Sequence, residues 1–409
     1  MFTASLSNGT IISLVDDWPL QELKDLRKKD QFYCPVCEKP VVLKIGRKNH
    51  SHFAHHSKQG CSYLPEHETN YHLTGKRDLY DWLKNQNVPV KMEYYLPIIK
   101  QRPDLVFRLQ NKLYALEYQC STIPLDLIEK RTEGYLQQGI IPVWILGGNR
   151  LKRRGQHQFT LQAYEWFASI EQQTSERMIV YYCPETKAIS HLHHITPYST
   201  TKVLASYNEV PLIDTKIETV LYPLLKPSQL LQQWLTIKKH WRYQIPHPYP
   251  HLIERYFRQL VYKHRLSPSL FPIEAGWPTS YCELLETPTY IWQTFLLLEC
   301  FQYQPLNQPF NKNIVVQCMQ GLIRNRLFSQ RNLLDTKSWT LSIDGYLDWL
   351  VKVRYLQRLD TTNDQYIRLR EAIHPKNSSQ AIQLDHKCMF RVIEKNPLYL
   401  NSKMKEELN

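Results

Sequence analysis

Arg102-Pro-Asp-Leu-Val-Phe107, the polar pair Gln110-Asn111, and Leu113-Tyr-Ala-Leu-Glu-Tyr-Gln-Cys-Ser121 form the stretch on which the reading of this chain turns. β-Branched, aromatic and aliphatic residues on either side of Gln110-Asn111 read as two strands joined by a tight turn. Paired positions across such a turn keep a constant sum, so Leu109 faces Lys112 and, further out, Asp104 faces Glu117. Opposed residues point to the same side of a sheet, with Cβ atoms about 5 Å apart. Two carboxylates at that spacing can share a hard cation whose oxygen ligands lie at about 2.0–2.6 Å. Period-2 alternation puts Gln119 on the same face. The pair reads as a strand-borne metal site. A slip of one residue would turn Asp104 to the other face, and acids beside a hairpin are also ordinary surface residues.

Upstream, a helix is expected from about Glu66 to Leu83. Glu68, His72 and Lys76 fall at i, i+4 and i+8, in line with an apolar stripe through Leu79 and Leu83. A polar trio continuing an apolar stripe points inward, where ionisable groups need partners or a cleft. A solvated first turn is the plainer alternative. Downstream, Ser121-Thr122 can cap a helix from about Leu125 to Gln138, and Ile140 to Leu146 is a continuous apolar strand. Strand, crossover helix and buried strand make a parallel βαβ unit. Glu117 and Gln119 then lie near the carboxyl end of their strand, where α/β sheets keep their sites. Arg131 and Tyr135, four residues apart on that helix, are candidates to meet a phosphate and a base, or an exposed pair without a role.

Nearer the amino terminus, Phe2 to Val15 suggests a hairpin around Asn8-Gly9. Cys34-Pro-Val-Cys37 follows, and after fourteen further residues His52-Phe-Ala-His55. A CxxC knuckle sets two thiolates on one side of a turn, and two histidines can complete a closed tetrahedral zinc shell. His56 and Cys61 are substitutes for either histidine. A segment with little core of its own would draw much of its folding free energy from the metal. The alternative is a pair of half-buried cysteines beside a His-rich loop.

At 409 residues the chain exceeds one ordinary core. It divides at the sequence level into 1–62, a β and zinc-binding-like segment; 63–212, an α/β domain; and 213–409, mainly helical. No apolar run reaches the roughly 18 residues of a membrane span, and no basic-then-apolar leader opens the sequence. Nine cysteines, an odd number scattered over the length, fit a reducing compartment. A cytoplasmic protein is expected. The net charge of +13 suggests a polyanionic partner.

Beyond Arg150 the signals thin out. His191, His193 and His194 lack partners at ligand spacing and read as surface. Lys238-Lys239-His240-Trp241-Arg242-Tyr243 interleaves basic and aromatic residues, as single-strand binders do, although the edge of an ordinary helix does the same. Tyr346 to Val353 reads as a helix, and Tyr355 to Leu369 as a hairpin about 360–364. Together they resemble a winged-helix module with Arg354, Arg358 and Arg368 at hand, or a helical domain packed on the α/β core. No P-loop or dinucleotide fingerprint occurs.

With these residues in view, the chain resembles the CoiA family of bacterial competence proteins. The matching features run from Cys34-x-x-Cys37 and His52-Phe-Ala-His55 through Glu68-Thr-x-x-His72-x-x-x-Lys76 to Pro103-Asp104. They continue with Glu117-Tyr-Gln119-Cys-Ser121, Arg131-x-x-x-Tyr135 and Ile141-Pro-Val-Trp-Ile-Leu146. The resemblance implies an α/β fold with a restriction-endonuclease-like αβββαβ core, whose signature is Pro-Asp…(Asp/Glu)-x-Lys. It implies that Asp104 and Glu117 hold Mg²⁺ or Mn²⁺, with Glu68 completing the shell. Gln119 stands where such nucleases carry lysine, and a neutral amide can only position water by hydrogen bonds. His72 and Lys76 are the candidates to replace the missing group. The implied role is processing or recombining single-stranded DNA during natural transformation, beside a RecA-type recombinase and other competence proteins. A catalytically weak DNA-binding accessory protein and a zinc-stabilised interaction scaffold are the alternatives.

Overall fold

Gln110 and Asn111 both adopt left-handed conformations, with φ of 49° and 63°, as a two-residue type I′ turn requires. The strands they join, Leu105–Leu109 and Lys112–Gln119, pair in register from Leu109 opposite Lys112 to Leu105 opposite Leu116. One step further that register sets Asp104 against Glu117. The expected pairing is therefore the observed one.

The computed structural model describes residues 1–409 apart from 16–17, 47–49, 57–68, 173–175, 224–229, 245–246, 335–336, 361–363 and 395–409. In chain order the first unit contains strands β1 (Thr3–Leu6) and β2 (Ile11–Ser13), helix α1 (Leu20–Lys29), and strands β3 (Phe32–Tyr33), β4 (Pro40–Lys44) and β5 (His52–His55). Gly9, at φ 83°, makes the expected β1–β2 turn. These strands form one sheet in the order β2-β1-β3-β4-β5.

Next come helix α2 (Asn70–Asn85), strands β6 (Val90–Met92), β7 (Leu105–Leu109) and β8 (Lys112–Gln119), helix α3 (Leu125–Gln137) and strand β9 (Ile141–Gly147). After them follow β10 (Lys152–Arg153), β11 (Gln158–Thr160), helix α4 (Ala163–Phe167), β12 (Ile170–Glu171), β13 (Arg177–Cys183), β14 (Ala188–Pro197) and β15 (Lys202–Pro211). They build a ten-stranded sheet whose path is β10-β11-β15-β14-β13-β9-β8-β7-β6, with β12 also paired to β13. β9 runs parallel to both β8 and β13, as the βαβ reading requires, and the other pairings are antiparallel. A parallel strand covered on both faces should be apolar throughout, and from Pro142 to Gly147 β9 is buried.

The small sheet does not have a core of its own. Phe2, Leu43 and Phe53 pack in one cluster with Leu79 and Leu83 of α2, Leu116 of β8 and Val143 of β9.

The remaining chain comprises helices α5 (Ile217–Leu221), α6 (Leu231–Tyr243), α7 (Leu252–Lys263) and α8 (Thr289–Glu299), strand β16 (Pro309–Asn311), helices α9 (Lys312–Arg324) and α10 (Thr340–Lys352), strands β17 (Leu356–Asp360) and β18 (Gln365–Arg368), and helix α11 (Ser378–Glu394). A second core gathers Trp234, Trp277, Trp292, Phe295 and Tyr346. Helix α10 leads into the β17–β18 hairpin as expected, but β16 joins β18 to make a three-stranded sheet. Among the described residues, no helix is long and apolar enough to cross a membrane.

Two expectations fail here. The basic and aromatic run 238–242 lies on α6 with Lys238, Trp241 and Arg242 turned inward, only Lys239 of the four DNA candidates being exposed. Lys238 Nζ and Arg242 Nε sit 2.9 and 3.1 Å from the carboxylate of Asp385 on α11, and Trp241 packs edge-on against Trp234. A buried acid compensates the buried cations, so the run is core and not a strand-binding face. His191, His193 and His194 are likewise buried in β14 and not on the surface. Their partners, the Val220 carbonyl for His191 and Glu176 for His194, lie outside the local pattern.

Candidate active site and metal cluster

Helix α2 begins at Asn70, with Thr69 as its cap accepting the His72 amide N–H at 3.2 Å. It crosses β8 at Gly75, where an added Cβ would lie 2.1 Å from Cε1 of Tyr118. Only glycine lets the helix come this close. The approach carries His72 and Lys76, one helical turn apart, down onto the β7–β8 hairpin, and the His72 ring stacks on Tyr118 with centroids 5.7 Å apart.

Asp104 is the meeting point. Its Oδ1 lies 3.3 Å from Lys76 Nζ; its Oδ2 lies 3.3 Å from His72 Nε2 and accepts the Tyr118 amide N–H at 2.9 Å. Burial pushes the carboxyl pKa up, but Lys76 and His72 together more than reverse it, holding Asp104 well below the usual carboxylate range. Lys76 Nζ also reaches Glu93 Oε1 at 2.6 Å, and both side chains are 1% exposed.

Glu93 is the site residue that sequence reasoning missed. Its Oε2 accepts the amide N–H groups of Phe2 and Thr3 at 2.8 and 2.9 Å and the Thr3 hydroxyl at 2.9 Å, and lies 3.7 Å from Arg102 Nη1. No local periodicity marks it. It sits just past β6 with φ of 52°, and its partners lie about ninety positions away. A left-handed glutamate is uncommon, yet the sequence does not display backbone angles.

Across the hairpin, Glu117 accepts from both Arg131 and Tyr135 of α3. Burial raises its pKa to about 7 against the opposing pull of Arg131, and the neighbouring charge of Asp104 adds to the rise. This corrects the reading of Arg131 and Tyr135 as nucleic-acid contacts. Tyr135 is fully buried, packed with Ala115 and Ile140, and has no face to offer a base. The i, i+4 face was right; it turns toward the sheet. Gln119 directs its amide N–H groups to the carbonyl and hydroxyl of Ser121, at 3.0 and 3.2 Å. Glu68 lies outside the described residues.

The described site thus holds three acids, Glu93, Asp104 and Glu117, against three cations, Lys76, Arg102 and Arg131. Its donor set is all oxygen where Asp104 opposes Glu117, the chemistry hard divalent cations select.

The amino-terminal cluster is softer. Among the described residues, Cys34, Cys37 and His55 bring their ligand atoms within 4.8 Å of one another, with Cys37 Sγ 3.2 Å from His55 Nε2. The turn from Cys34 is closed by the Glu38 N–H to the Cys34 carbonyl at 2.9 Å. His52 is not part of the cluster. Three positions separate it from His55 along β5, so alternation sends the two to opposite faces, and its Nδ1 instead meets the His50 carbonyl at 3.0 Å. His56 is exposed, and Cys61 lies outside the described residues.

Comparison with known proteins agrees with this geometry. Residues 15–64, 68–225 and 230–382 match the families described as competence protein CoiA, N-terminal domain, nuclease-like domain and C-terminal domain, respectively. The competence protein CoiA of Bacillus subtilis (strain 168) is 31% identical over 364 residues, covering 89% of this chain and 96% of that protein. No solved structure matches the chain. Three consecutive domain matches and a relative aligned over nearly its whole length place this chain in the competence protein CoiA family.

Proposed function

We propose that the nuclease-like domain is a divalent-metal-dependent phosphodiesterase acting on single-stranded DNA in the cytoplasm during competence, within a restriction-endonuclease-like core. The observation that carries this reading is the hairpin register, which opposes Asp104 to Glu117 with Lys76 Nζ 3.3 Å from Asp104. The element order helix, three strands, helix, strand from α2 to β9 supports it as well.

Asp104 and Glu117 are the residues that would hold Mg²⁺ or Mn²⁺. Such an ion supplies Lewis acidity and an activated water when bound. Lys76, reaching the hairpin from α2, takes the role of the lysine absent at position 119 and stabilises negative charge developing on the phosphate. His72, on the rim of the same carboxylate, is placed to exchange a proton. Gln119 positions water. The charge of +13 favours a phosphate backbone as partner, and a RecA-type recombinase is the implied protein partner.

Labelled single-stranded and duplex DNA incubated with Mg²⁺ or Mn²⁺ tests the reading. Wild type should cleave, and Asp104→Ala and Glu117→Ala should each lose at least about two orders of magnitude in rate, the scale of removing a transition-state charge stabiliser. A second reading, an accessory protein that binds DNA and cuts poorly, is favoured by the internal cation beside each of the three acids. Salt-sensitive DNA binding without cleavage under either metal would select it.

We further propose that Cys34, Cys37 and His55 ligate a structural zinc ion. The knuckle and the soft donor set fit zinc. Purified protein should contain about one zinc per chain, and Cys34→Ser with Cys37→Ser should lose it together with much of the stability of the small sheet. Well-folded wild type without zinc would refute this assignment.

A further inference from the structure

We propose that a cleft between the large sheet and the carboxyl-terminal helices is a nucleotide site, taking base and phosphate of a free mononucleotide or of one unstacked residue of a single strand. The cleft measures about 430 Å³, within the range of small-molecule sites and at the kind of junction where they occur. Arg177 of β13 and His194 of β14 wall it on one side; the turn 279–283 and Trp349 of α10 wall it on the other. It shares no residue with the Asp104 site.

Three independent observations point to a ligand. The first is strain. His194 and Tyr281 are both non-glycine residues at positive φ, 52° and 62°, and both line this one cleft. His194 lies where the β14–β15 register shifts, between His193 and Thr196. Bulges and left-handed residues of this kind concentrate beside binding sites, where they aim side chains.

The second is unmet hydrogen bonding. Nε1 of Trp349 and Oγ1 of Thr279 are buried with no hydrogen-bond partner among the described residues, in side chains belonging to residues 6% and 8% exposed. Native proteins rarely leave such atoms unpaired. An indole N–H only donates, whereas a threonine hydroxyl donates or accepts. A ligand that satisfies both must carry acceptors and donors close together, as the edge of a nucleobase does.

The third is the distribution of rings and charge. Trp234, Tyr281 and Trp349 supply apolar ring surface to the cleft, suited to a flat heterocycle. The acids are already engaged, Glu176 with His194 at 2.8 Å and Glu283 facing Arg177 at 3.9 Å. Lys352 is exposed and lines the cleft, a cation placed for a phosphate. A sugar or lipid would leave either the rings or the cation unused. The choice of a nucleotide rests on the DNA-processing reading above, but the cleft and its test are separate from the hairpin acids.

The experiment is equilibrium binding of the four deoxynucleoside 5′-monophosphates, their nucleosides, inorganic phosphate and a short oligo(dT) to the full chain carrying Asp104→Ala, followed by calorimetry and tryptophan fluorescence. At least one mononucleotide, or the oligonucleotide alone, should bind saturably. Trp349→Phe and Thr279→Val, which keep shape and delete the unpaired polar atom, should each weaken that binding at least about tenfold, the scale of one lost hydrogen bond to a charged or well-placed partner. Binding of mononucleotides supports a free ligand, and binding of the oligonucleotide alone supports a strand residue. Lys352→Met, an exposed change that leaves the core intact, should weaken the monophosphates and spare the nucleosides. No saturable binding of any nucleotide, binding unchanged in Trp349→Phe and Thr279→Val, or phosphate binding as tightly as the nucleotides would overturn the proposal. Loss of cleavage in the wild type with this binding intact would instead count against the hairpin site alone.

Discussion

A Lys76→Met variant should lose about 3–5 kcal/mol of stability at neutral pH, the scale of removing one partner from a buried ion pair. Methionine keeps the length and the apolar stem, so the loss isolates the charge. In the wild type the ammonium lies 2.6 Å from Glu93 and 3.3 Å from Asp104, itself 1% exposed. Without it two carboxylates share a buried space with only Arg102, at 3.7 Å from Glu93, still nearby. The pH dependence has a definite sign. Asp104 is held well below the usual range in the wild type, so its contribution is present above about pH 4 and fades as pH falls through and below that value. In the variant burial acts unopposed and raises the carboxyls, so folding takes up protons and acidification from pH 7 toward 5 relieves the defect. Urea unfolding at both pH values reads this directly. A variant as stable as wild type at pH 7, or a gap that widens on acidification, would show that Lys76 is not the central cation of the site.

Asp385→Ala should be comparably severe, about 3–5 kcal/mol, because it strands two cations at once. Lys238 Nζ and Arg242 Nε lie 2.9 and 3.1 Å from the Asp385 carboxylate, and all three side chains are at most 3% exposed. Arg242 also donates to the carbonyl of Phe271, and Lys238 to that of Ile273 at 2.8 Å, with its ammonium 3.8 Å from the centre of the Trp277 ring. Burial already pushes Lys238 down to about 8 while Asp385 opposes it. With the acid gone the neutral amine is favoured further, so the variant should regain stability as pH rises, and adding Lys238→Met should recover part of the loss. Thermal melts of single and double variants test both. If instead Lys238→Met lowered DNA affinity and the salt slope while leaving stability unchanged, the residue would be a phosphate contact after all.

The parts of this protein that were legible in its sequence are those written in short-range pattern. A polar Gln110-Asn111 between alternating strands determines the hairpin register, and with it the opposition of Asp104 to Glu117. The apolar run into Gly147 declares a buried parallel strand. Pattern fails where the deciding partner is remote. Lys238 and Arg242 look like a basic face until Asp385, 143 residues beyond Arg242, is seen beneath them. Arg131 and Tyr135 share a helical face, but which way it turns depends on Glu117. Glu93 leaves no periodic trace because its role comes from Phe2, Thr3 and Lys76. His52 is a different kind of miss, since the alternation along β5 already separates it from His55.

The bonds from Phe2 and Thr3 to Glu93 also bear on how the chain is made. Glu93 leaves the ribosome 91 and 90 residues after the two amides it will hold. At translation rates of about 5–20 residues per second that interval is roughly 5–20 s. Throughout it the first strand has only its own small sheet to rest on, and the buried place of Lys76 does not yet exist. Anchoring the strand and neutralising the lysine then happen together, when one side chain arrives. A nascent chain stalled before residue 93 should therefore be a ready client for chaperones, and one stalled well past the β8–β9 ladder should not.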